Sequence, residues 1–209
     1  MKVDQIASEL AARSKPLARI IRAVGLPPSR RAIRVDQRFE RLATAILHQQ
    51  LAGAAAATIT RRVIAMTHHS LLPDRIAALS ETQLRSCGVS GAKAAALFDL
   101  SERVLDGRLD FSTMGRMSND AVMAELVATR GVGEWTAQMF LMGALGRGDI
   151  WPTGDLGVRS GWAAIHRLTH VPSAKELLPL ADHLAPFRSD VAWYCWRAVD
   201  LERSGALPR

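Results

Sequence analysis

The chain has 209 residues, a formal net charge of +7 and only two cysteines, Cys87 and Cys195. Two cysteines cannot supply the four thiolates of a zinc or iron–sulfur site, and a single disulfide is no framework for a small secreted fold. No apolar run reaches the ~20 residues of a membrane-spanning helix and no signal-peptide core is evident, so we expect a cytoplasmic protein.

Helical periodicity recurs along nearly the whole chain. Apolar residues follow the 3.6-residue spacing of a helix from Phe39 to Leu47, behind Asp36 as a candidate N-cap. The other predicted helices, in chain order, cover residues 52–66, a short segment capped by Ser80, 90–105, 118–128, 134–145, 155–168, 173–184 and 189–202. The only strand-like stretch, Ala32–Val35, is too short to organise a sheet. The sequence therefore predicts an all-α protein with about nine short helices.

The glycines and prolines fall almost entirely between the predicted helices, which favours compact bundles joined by short turns. We expect two packed helical sub-bundles. Residues 36–150 are predicted to form one lobe and residues 151–209 the other, and residues 1–35 are predicted to pack with the C-terminal helices.

The basic residues are strongly biased towards arginine, because only four of the 27 are lysines. The planar guanidinium group of arginine makes bidentate contacts with phosphate, whereas the lysine ammonium is a point charge. The bias therefore favours a protein that binds a polyanion. A GC-rich genome that prefers arginine codons would produce the same composition.

A glycine-rich break stands between two predicted helices in the segment 126–161. Gly131, Val132 and Gly133 interrupt the helical pattern, and two glycines two residues apart allow a tight hairpin and a close approach to another molecule. The N–H groups that open the next helix, up to Thr136, lack intrahelical acceptors and suit a phosphate. In a basic chain the hairpin predicts sequence-independent binding to a nucleic-acid backbone, although such glycines often only cap helices.

The segment that follows the second of these helices, WPTGDLGVR at residues 151–159, makes a family resemblance apparent. With the hairpin and the WTA after it, this segment resembles the helix-hairpin-helix DNA glycosylase superfamily, and most closely its 3-methyladenine DNA glycosylase II branch. AILHQQ at 45–50 resembles the AILGQQ of that branch, and PFRS followed by AWYCWR at 186–197 resembles its PxRS and AWYxWR segments. The resemblance covers about residues 36–200 and is specific as a combination.

The resemblance implies a monofunctional DNA glycosylase of base excision repair. Such an enzyme flips alkylated purines of the 3-methyladenine and 7-methylguanine type out of double-stranded DNA, excises them by hydrolysis and leaves an abasic site. The helix-hairpin-helix, at about residues 119–146, is expected between the two sub-bundles. The resemblance implies no metal or cofactor apart from a monovalent cation at the hairpin carbonyls. We expect a monomer with no membrane partner. In a bacterium we expect the protein to be associated with the nucleoid.

Asp155 is the expected catalytic residue. Cleavage of an N-glycosidic bond passes through an oxocarbenium-like transition state, and a carboxylate beside the sugar stabilises that charge or activates water. An aspartate directly before an apolar helix is also a common N-cap, and the two roles are compatible.

Four residues are candidates for the pocket that holds the flipped base. Trp135 and Met139 are spaced i, i+4 and share one face of the helix after the hairpin, where core packing is the alternative. The resemblance places these two and Phe187 against the base, and an aromatic face attracts a positively charged N-alkylated purine. Met139 stands where some relatives have an aromatic residue. Trp151 is a further candidate for the wall, or else a core residue.

Gln49, Gln50 and Leu51 follow an amphipathic helix at a predicted turn. The two amides could cap the helix or form a buried hydrogen-bonded pair. The resemblance makes this the loop that intercalates into DNA and fills the hole left by the extruded base, with Gln50 as the first choice, then Leu51 and Gln49.

Two other functions and one metal site compete with this hypothesis. A bifunctional glycosylase/lyase of the family carries a lysine two residues after the second hairpin glycine, where this chain has Trp135. A non-catalytic helix-hairpin-helix module that binds DNA would need neither Asp155 nor the Gln-Gln loop. His166 and His170 have the spacing of a metal pair, but no carboxylate stands where a zinc hydrolase motif requires one, so we predict a structural or surface role.

Overall fold

The computed structural model describes residues 1–51 and 53–208, is 63% helical and contains no strand within those ranges. The helices are α1 Val3–Arg13, α2 Lys15–Val24, α3 Val35–His48, α4 Gly53–Met66, α5 Pro73–Ala77, α6 Glu81–Ser86, α7 Gly91–Leu105, α8 Asn119–Val127, α9 Glu134–Gly143, α10 Leu156–His166, α11 Ala174–Leu180 and α12 Arg188–Arg203, with a 3₁₀ turn at Asp182–Leu184. The prediction of an all-α fold is confirmed. None of the helices described here is long and apolar enough to cross a membrane.

Local capping chemistry explains where many of these helices begin. The side chains of Ser80, Ser90, Ser118 and Ser173 each accept a hydrogen bond from the backbone N–H three residues later, as their positions predict. The prediction of Asp36 as an N-cap is wrong. Arg34 is the N-cap residue and α3 begins at Val35, so the helix starts two residues earlier than an Asp36 cap implies. The Asp36 carboxylate in the first turn accepts hydrogen bonds from the Arg34 side chain instead.

Other departures from the predicted helices also have local causes. Helices α1, α2 and α5 were not predicted; each is short, and α2 and α5 have a proline in their first turn, where proline fits without breaking a helix. The predicted helix 173–184 ends at Leu180, directly after Pro179, and the 3₁₀ turn follows. Ala52, where one predicted helix began, lies outside the described residues.

The chain divides into two compact units. Unit 1 combines Met1–Arg31 with Gly146–Arg209, and unit 2 is Ala32–Leu145. The lobe boundaries predicted after residues 35 and 150 therefore fall a few residues too late. Both helices of the hairpin, α8 and α9, belong to unit 2, which corresponds to the lobe predicted over residues 36–150.

Unit 1 is built around the close packing of α10 against α12. A Cβ atom at Gly161 would overlap the backbone carbonyl of Cys195, so the two helices approach more closely there than a side chain would permit. Helix α2 packs on both α10 and α12 and buries Leu17 and Ile20. Tyr194 of α12 is fully buried, and its hydroxyl donates to the carbonyl of Gly25.

Unit 2 has α3 at its centre. Leu42, Ile46 and Leu47 of α3 are fully buried, and the helix packs against α4, α7 and α9. At the C-terminal end of α3, the Gln49 side chain donates a hydrogen bond to the Gly131 carbonyl of the hairpin before α9. The predicted intercalating loop therefore emerges beside the predicted phosphate-binding hairpin.

Candidate active site

The hairpin between α8 and α9 depends on one of its two glycines. Gly131 has φ +74°, which favours glycine, and a Cβ atom there would lie 2.8 Å from the Cβ of Ala96. Gly133 is the N-cap of α9 with φ −88°, and a Cβ atom there would have nothing within 4 Å. The turn therefore requires glycine at position 131, whereas the chain leaves open space around Gly133.

The other two residues of the predicted phosphate site are buried in unit 2. Val132 is packed into the core, and Thr136 in the first turn of α9 accepts a hydrogen bond from the Gln49 side chain at 3.2 Å. The side chains of both residues therefore support the hairpin from inside. Their role in holding a phosphate through the backbone stays a prediction.

Asp155 is the N-cap of α10, as its position predicts. Its Oδ1 atom accepts a hydrogen bond from the Val158 N–H at 2.8 Å and another from the Trp196 indole N–H at 3.2 Å. The carboxyl group is half-buried. Burial, together with the negative charge of Asp155, raises the pKa of the Cys195 thiol, which stays protonated beside the carboxylate.

Trp196 is a site residue that the sequence analysis missed. Its indole reaches Asp155 because position 157 is glycine, where a Cβ atom would lie 3.0 Å from both the Asp155 Oδ1 and the Trp196 Cδ1 atoms. Two signals were present in the sequence. Trp196 stands in the AWYCWR segment, and Gly157 and Gly161 share a helix face at i, i+4 spacing, which permits close helix packing.

The four predicted pocket residues fall into both units. In unit 2, Trp135 and Met139 share one face of α9, with Trp135 49% exposed and Met139 partly exposed. In unit 1, Phe187 is buried beneath the guanidinium of Arg13, whose Cζ lies 5.2 Å from the ring centroid. Trp135 is therefore the predicted aromatic wall residue with the greatest accessible surface.

Trp151, the remaining pocket candidate, is packed within unit 1. Its ring meets the edge of Trp162 at a centroid distance of 5.6 Å, and its indole N–H donates to the carbonyl of Leu177 at 3.3 Å. The geometry thus supports the core role that the sequence left open for Trp151. A contribution to the pocket wall stays a prediction.

In the predicted intercalating loop, the Gln49 side chain is hydrogen-bonded to the hairpin, whereas Gln50 and Leu51 are exposed. The side-chain amide of Gln49 donates to the Gly131 carbonyl at 2.9 Å as well as to Thr136, so this side chain binds the hairpin. Gln50 has φ +54° and is exposed, and Leu51 is 39% exposed. Of the three candidates, Gln50 and Leu51 remain accessible for insertion into DNA.

The two histidines considered as a metal pair, His166 and His170, lie in different environments. His166 stacks on Trp162 with the ring centroids 4.1 Å apart, and burial, followed by the nearby charges of His183 and Arg19, lowers its pKa to about 4. It is thus a neutral packing residue, as predicted, whereas His170 is exposed. Within residues 1–51 and 53–208 no group of three or more His, Cys, Asp or Glu could hold a metal ion.

The all-α fold, the glycine hairpin, the aspartate-capped helix after it and the double-glutamine loop are features expected of a DNA glycosylase from the family resemblance. A family model described as "HhH-GPD superfamily base excision DNA repair protein" matches residues 43–186. Because that match spans most of the sequence, the chain belongs to the HhH-GPD superfamily, and the predicted resemblance is confirmed.

Individual relatives match nearly the whole chain. DNA-3-methyladenine glycosylase 1 of Schizosaccharomyces pombe is 30% identical over 186 residues, 88% of this chain and 82% of the relative. The structure of a Schizosaccharomyces pombe 3-methyladenine DNA glycosylase in complex with abasic DNA has a TM-score of 0.83 at 28% identity, covering 92% of this chain and 95% of that one. The structure of a Bacillus halodurans DNA-3-methyladenine glycosidase also has a TM-score of 0.83. Its sequence is 29% identical, and the match covers 93% of this chain and 88% of that one.

The unequal roles of the hairpin glycines predict that Gly133→Val separates DNA binding from folding. Open space around position 133 should let the variant fold and melt like the parent, while the valine blocks approach of a phosphate to the backbone. Loss of one hydrogen bond to a charged group should weaken binding by at least about tenfold, measured by fluorescence anisotropy. Damaged and undamaged duplexes should be affected alike, because phosphate contacts carry no sequence information.

Gly131→Ala is the matched control for this variant. A methyl group there meets Ala96 and requires a left-handed backbone, so its melting temperature should fall, unlike that of Gly133→Val. Unchanged DNA binding by a well-folded Gly133→Val would show that the hairpin backbone does not approach DNA.

Proposed function

We propose that this chain is a monofunctional DNA glycosylase that flips alkylated purines out of duplex DNA and hydrolyses their N-glycosidic bonds, leaving abasic sites. The observation that carries the proposal is the environment of Asp155. A half-buried carboxylate at a helix N-terminus, with one oxygen held by two N–H donors, is fixed in position within a chain of the base excision family. Such a fixed charge stabilises positive charge that develops close to it.

The proposed chemistry follows from the charge of the substrate. A 3-methyl or 7-methyl purine carries a formal positive charge, so it leaves as a neutral base without protonation by the enzyme. The sugar becomes oxocarbenium-like as the bond breaks, and the Asp155 carboxylate stabilises that charge or orients the attacking water. Water adds to the sugar carbon, loses a proton and completes the abasic site.

Recognition is proposed to rest on three parts of the molecule. Trp135, with Met139 on the same face of α9, would present an electron-rich wall to the cationic base, and the part played by Phe187 stays a prediction. Gln50 or Leu51 would fill the gap in the duplex, and the 131–133 hairpin would hold a phosphate. We propose that the protein acts as a monomer on double-stranded DNA.

No organic cofactor is proposed. A monovalent cation at the hairpin carbonyls would need carbonyl lone pairs that are still available. The Gly131 carbonyl accepts one hydrogen bond from Gln49 and the Thr129 carbonyl accepts one from the Val132 N–H, so each oxygen retains a second lone pair. These residues therefore fit a cation, which would help to hold the turn in place.

The proposal is tested by incubating the protein with methylated duplex DNA and identifying the released bases by chromatography. We expect 3-methyladenine or 7-methylguanine to appear, and sodium borohydride to trap no covalent protein–DNA adduct, because Trp135 stands where a family lyase has its lysine. A trapped adduct would overturn the monofunctional assignment. DNA binding without any base release would favour the non-catalytic helix-hairpin-helix module.

A further inference from the structure

Lys93 contacts the backbone that leads into the predicted intercalating loop. It lies in the first turn of α7, and its Nζ atom donates to the carbonyl of Leu47 at 2.8 Å and to that of Gln49 at 2.7 Å. These carbonyls are at the C-terminal end of α3, where an α-helix leaves its last C=O groups without partners and carries a partial negative charge. The ammonium group therefore fixes the exit of α3.

Lys93 directs its ammonium group at the protein backbone. Its side chain is half-buried, burial lowers its pKa, and its charge is used inside the protein. Hydrogen bonds that involve an ionised donor are stronger than neutral ones. The Lys93 ammonium group thus binds backbone carbonyls of this protein, and its position does not require a contact with a DNA phosphate.

A second attachment holds the same loop on its other side. The Gln49 amide uses both of its hydrogens, one on the Gly131 carbonyl and one on the Thr136 hydroxyl. Gly131 in turn packs against Ala96 of α7, the helix that carries Lys93. The loop, the hairpin and α7 are therefore joined by hydrogen bonds and packing within unit 2.

The residue that follows these attachments has an unfavourable backbone conformation. Gln50 adopts φ +54°, a left-handed conformation that residues other than glycine rarely adopt. Such a conformation persists when the surrounding contacts over-determine it. Gln50 and Leu51 form the exposed tip of the loop. They directly follow Gln49, which is held through its carbonyl by Lys93 and through its side chain by the hairpin.

We infer that Lys93 and Gln49 are positioning residues that hold the Gln50–Leu51 tip ready for insertion into the duplex and link it to the phosphate-binding hairpin. This inference rests on the proposed function. A flexible loop would have to be ordered at the moment of insertion, whereas a fixed tip has lost that freedom beforehand. Lys93 and Gln49 act on the reaction through the tip and do not touch the base.

The test uses Lys93→Met and Gln49→Met, which remove the donors. Methionine matches glutamine in length and is one atom shorter than lysine. Single-turnover excision is measured on two duplexes. In one, 7-methylguanine is paired to cytosine; in the other, the same base is an unpaired bulge. The bulged base has no partner, so no gap opposite a partner base has to be filled by the tip when that base leaves the duplex. For both variants we expect the rate on the paired base to fall by about tenfold. The rate of Lys93→Met on the bulged base should stay within about twofold of the parent, whereas Gln49→Met also detaches the hairpin and should lose activity on both duplexes.

Matched controls remove the same groups elsewhere. Lys175→Met removes an exposed lysine from α11, and Gln138→Met removes a glutamine whose amide donates to Glu134 of its own helix. Both should leave excision from the paired and the bulged duplex within about twofold of the parent. The melting temperature of each variant is measured as well, because an unchanged value shows that a lower excision rate does not come from a less stable fold.

A second measurement asks whether Lys93 acts through the tip. In a background where Gln50 and Leu51 are both alanine, Lys93→Met should cost no more than about a further twofold, because residues that act as one unit are not additive. Equal losses by Lys93→Met on the paired and the bulged duplex would overturn the inference. So would a full additional loss when Lys93→Met is made in the background without Gln50 and Leu51. A parent that releases no base from either duplex would instead overturn the proposed function, and the inference with it.

Discussion

Asp155→Asn is expected to lower the rate of base excision by about 10²- to 10³-fold, the usual cost of removing one preorganised electrostatic group from an active site. Asparagine keeps an oxygen that can accept from the Val158 N–H and from the Trp196 indole, and it is as good an N-cap as aspartate. The fold and the α10 terminus should therefore survive. Only the negative charge that stabilises the oxocarbenium ion is lost.

The measurement is single-turnover release of 7-methylguanine together with a DNA-binding isotherm. Binding should stay the same or tighten, because one negative charge near the phosphates has been removed. Asp155→Ala serves as the contrast, since it also removes the cap and should destabilise the protein by about 1 kcal/mol. Excision by Asp155→Asn at a rate within a few-fold of the parent would exclude this carboxylate from the mechanism.

Trp135→Ala is expected to reduce excision of cationic bases by about one to two orders of magnitude, through lost stacking and cation–π attraction of ~1–3 kcal/mol. Trp135→Leu should lose nearly as much, because leucine restores bulk without an electron-rich face. Since Trp135 is 49% exposed, neither change removes a core side chain, and a loss of activity should not reflect unfolding.

Release of a cationic base, 7-methylguanine or 3-methyladenine, is compared with release of the neutral base hypoxanthine by the parent and both variants. The parent should prefer the cationic bases, and both variants should lose that preference. Full activity of Trp135→Leu on cationic bases would disprove the aromatic-wall hypothesis and leave Trp135 as an ordinary packing residue.

What could be predicted from the sequence was mostly local. The serine caps of α6, α7, α8 and α11 depend on bonds that reach only three residues along the chain, and so does the role of Asp155 as the cap of α10. The glycine hairpin was visible for the same reason. The family resemblance then supplied the roles that no local pattern could assign.

The contacts that were missed join residues far apart in the chain. Lys93 reaches carbonyls of the α3 terminus, and Trp196 reaches Asp155 from another helix. Neither contact follows from helical periodicity, because each depends on which helices pack together and how closely. Gly157 marked the second contact in the sequence, but a glycine inside a helix indicates close packing without naming the partner.

The way the chain contributes both of its ends to unit 1 has a consequence for biosynthesis. Helix α2 buries Leu17 and Ile20 against α10 and α12, which a ribosome makes only after all of unit 2 has been completed. Unit 2 is a continuous stretch and can form as soon as it emerges, whereas the apolar face of α2 must wait for the last third of the chain. In a nascent chain that face is the surface a chaperone would meet first.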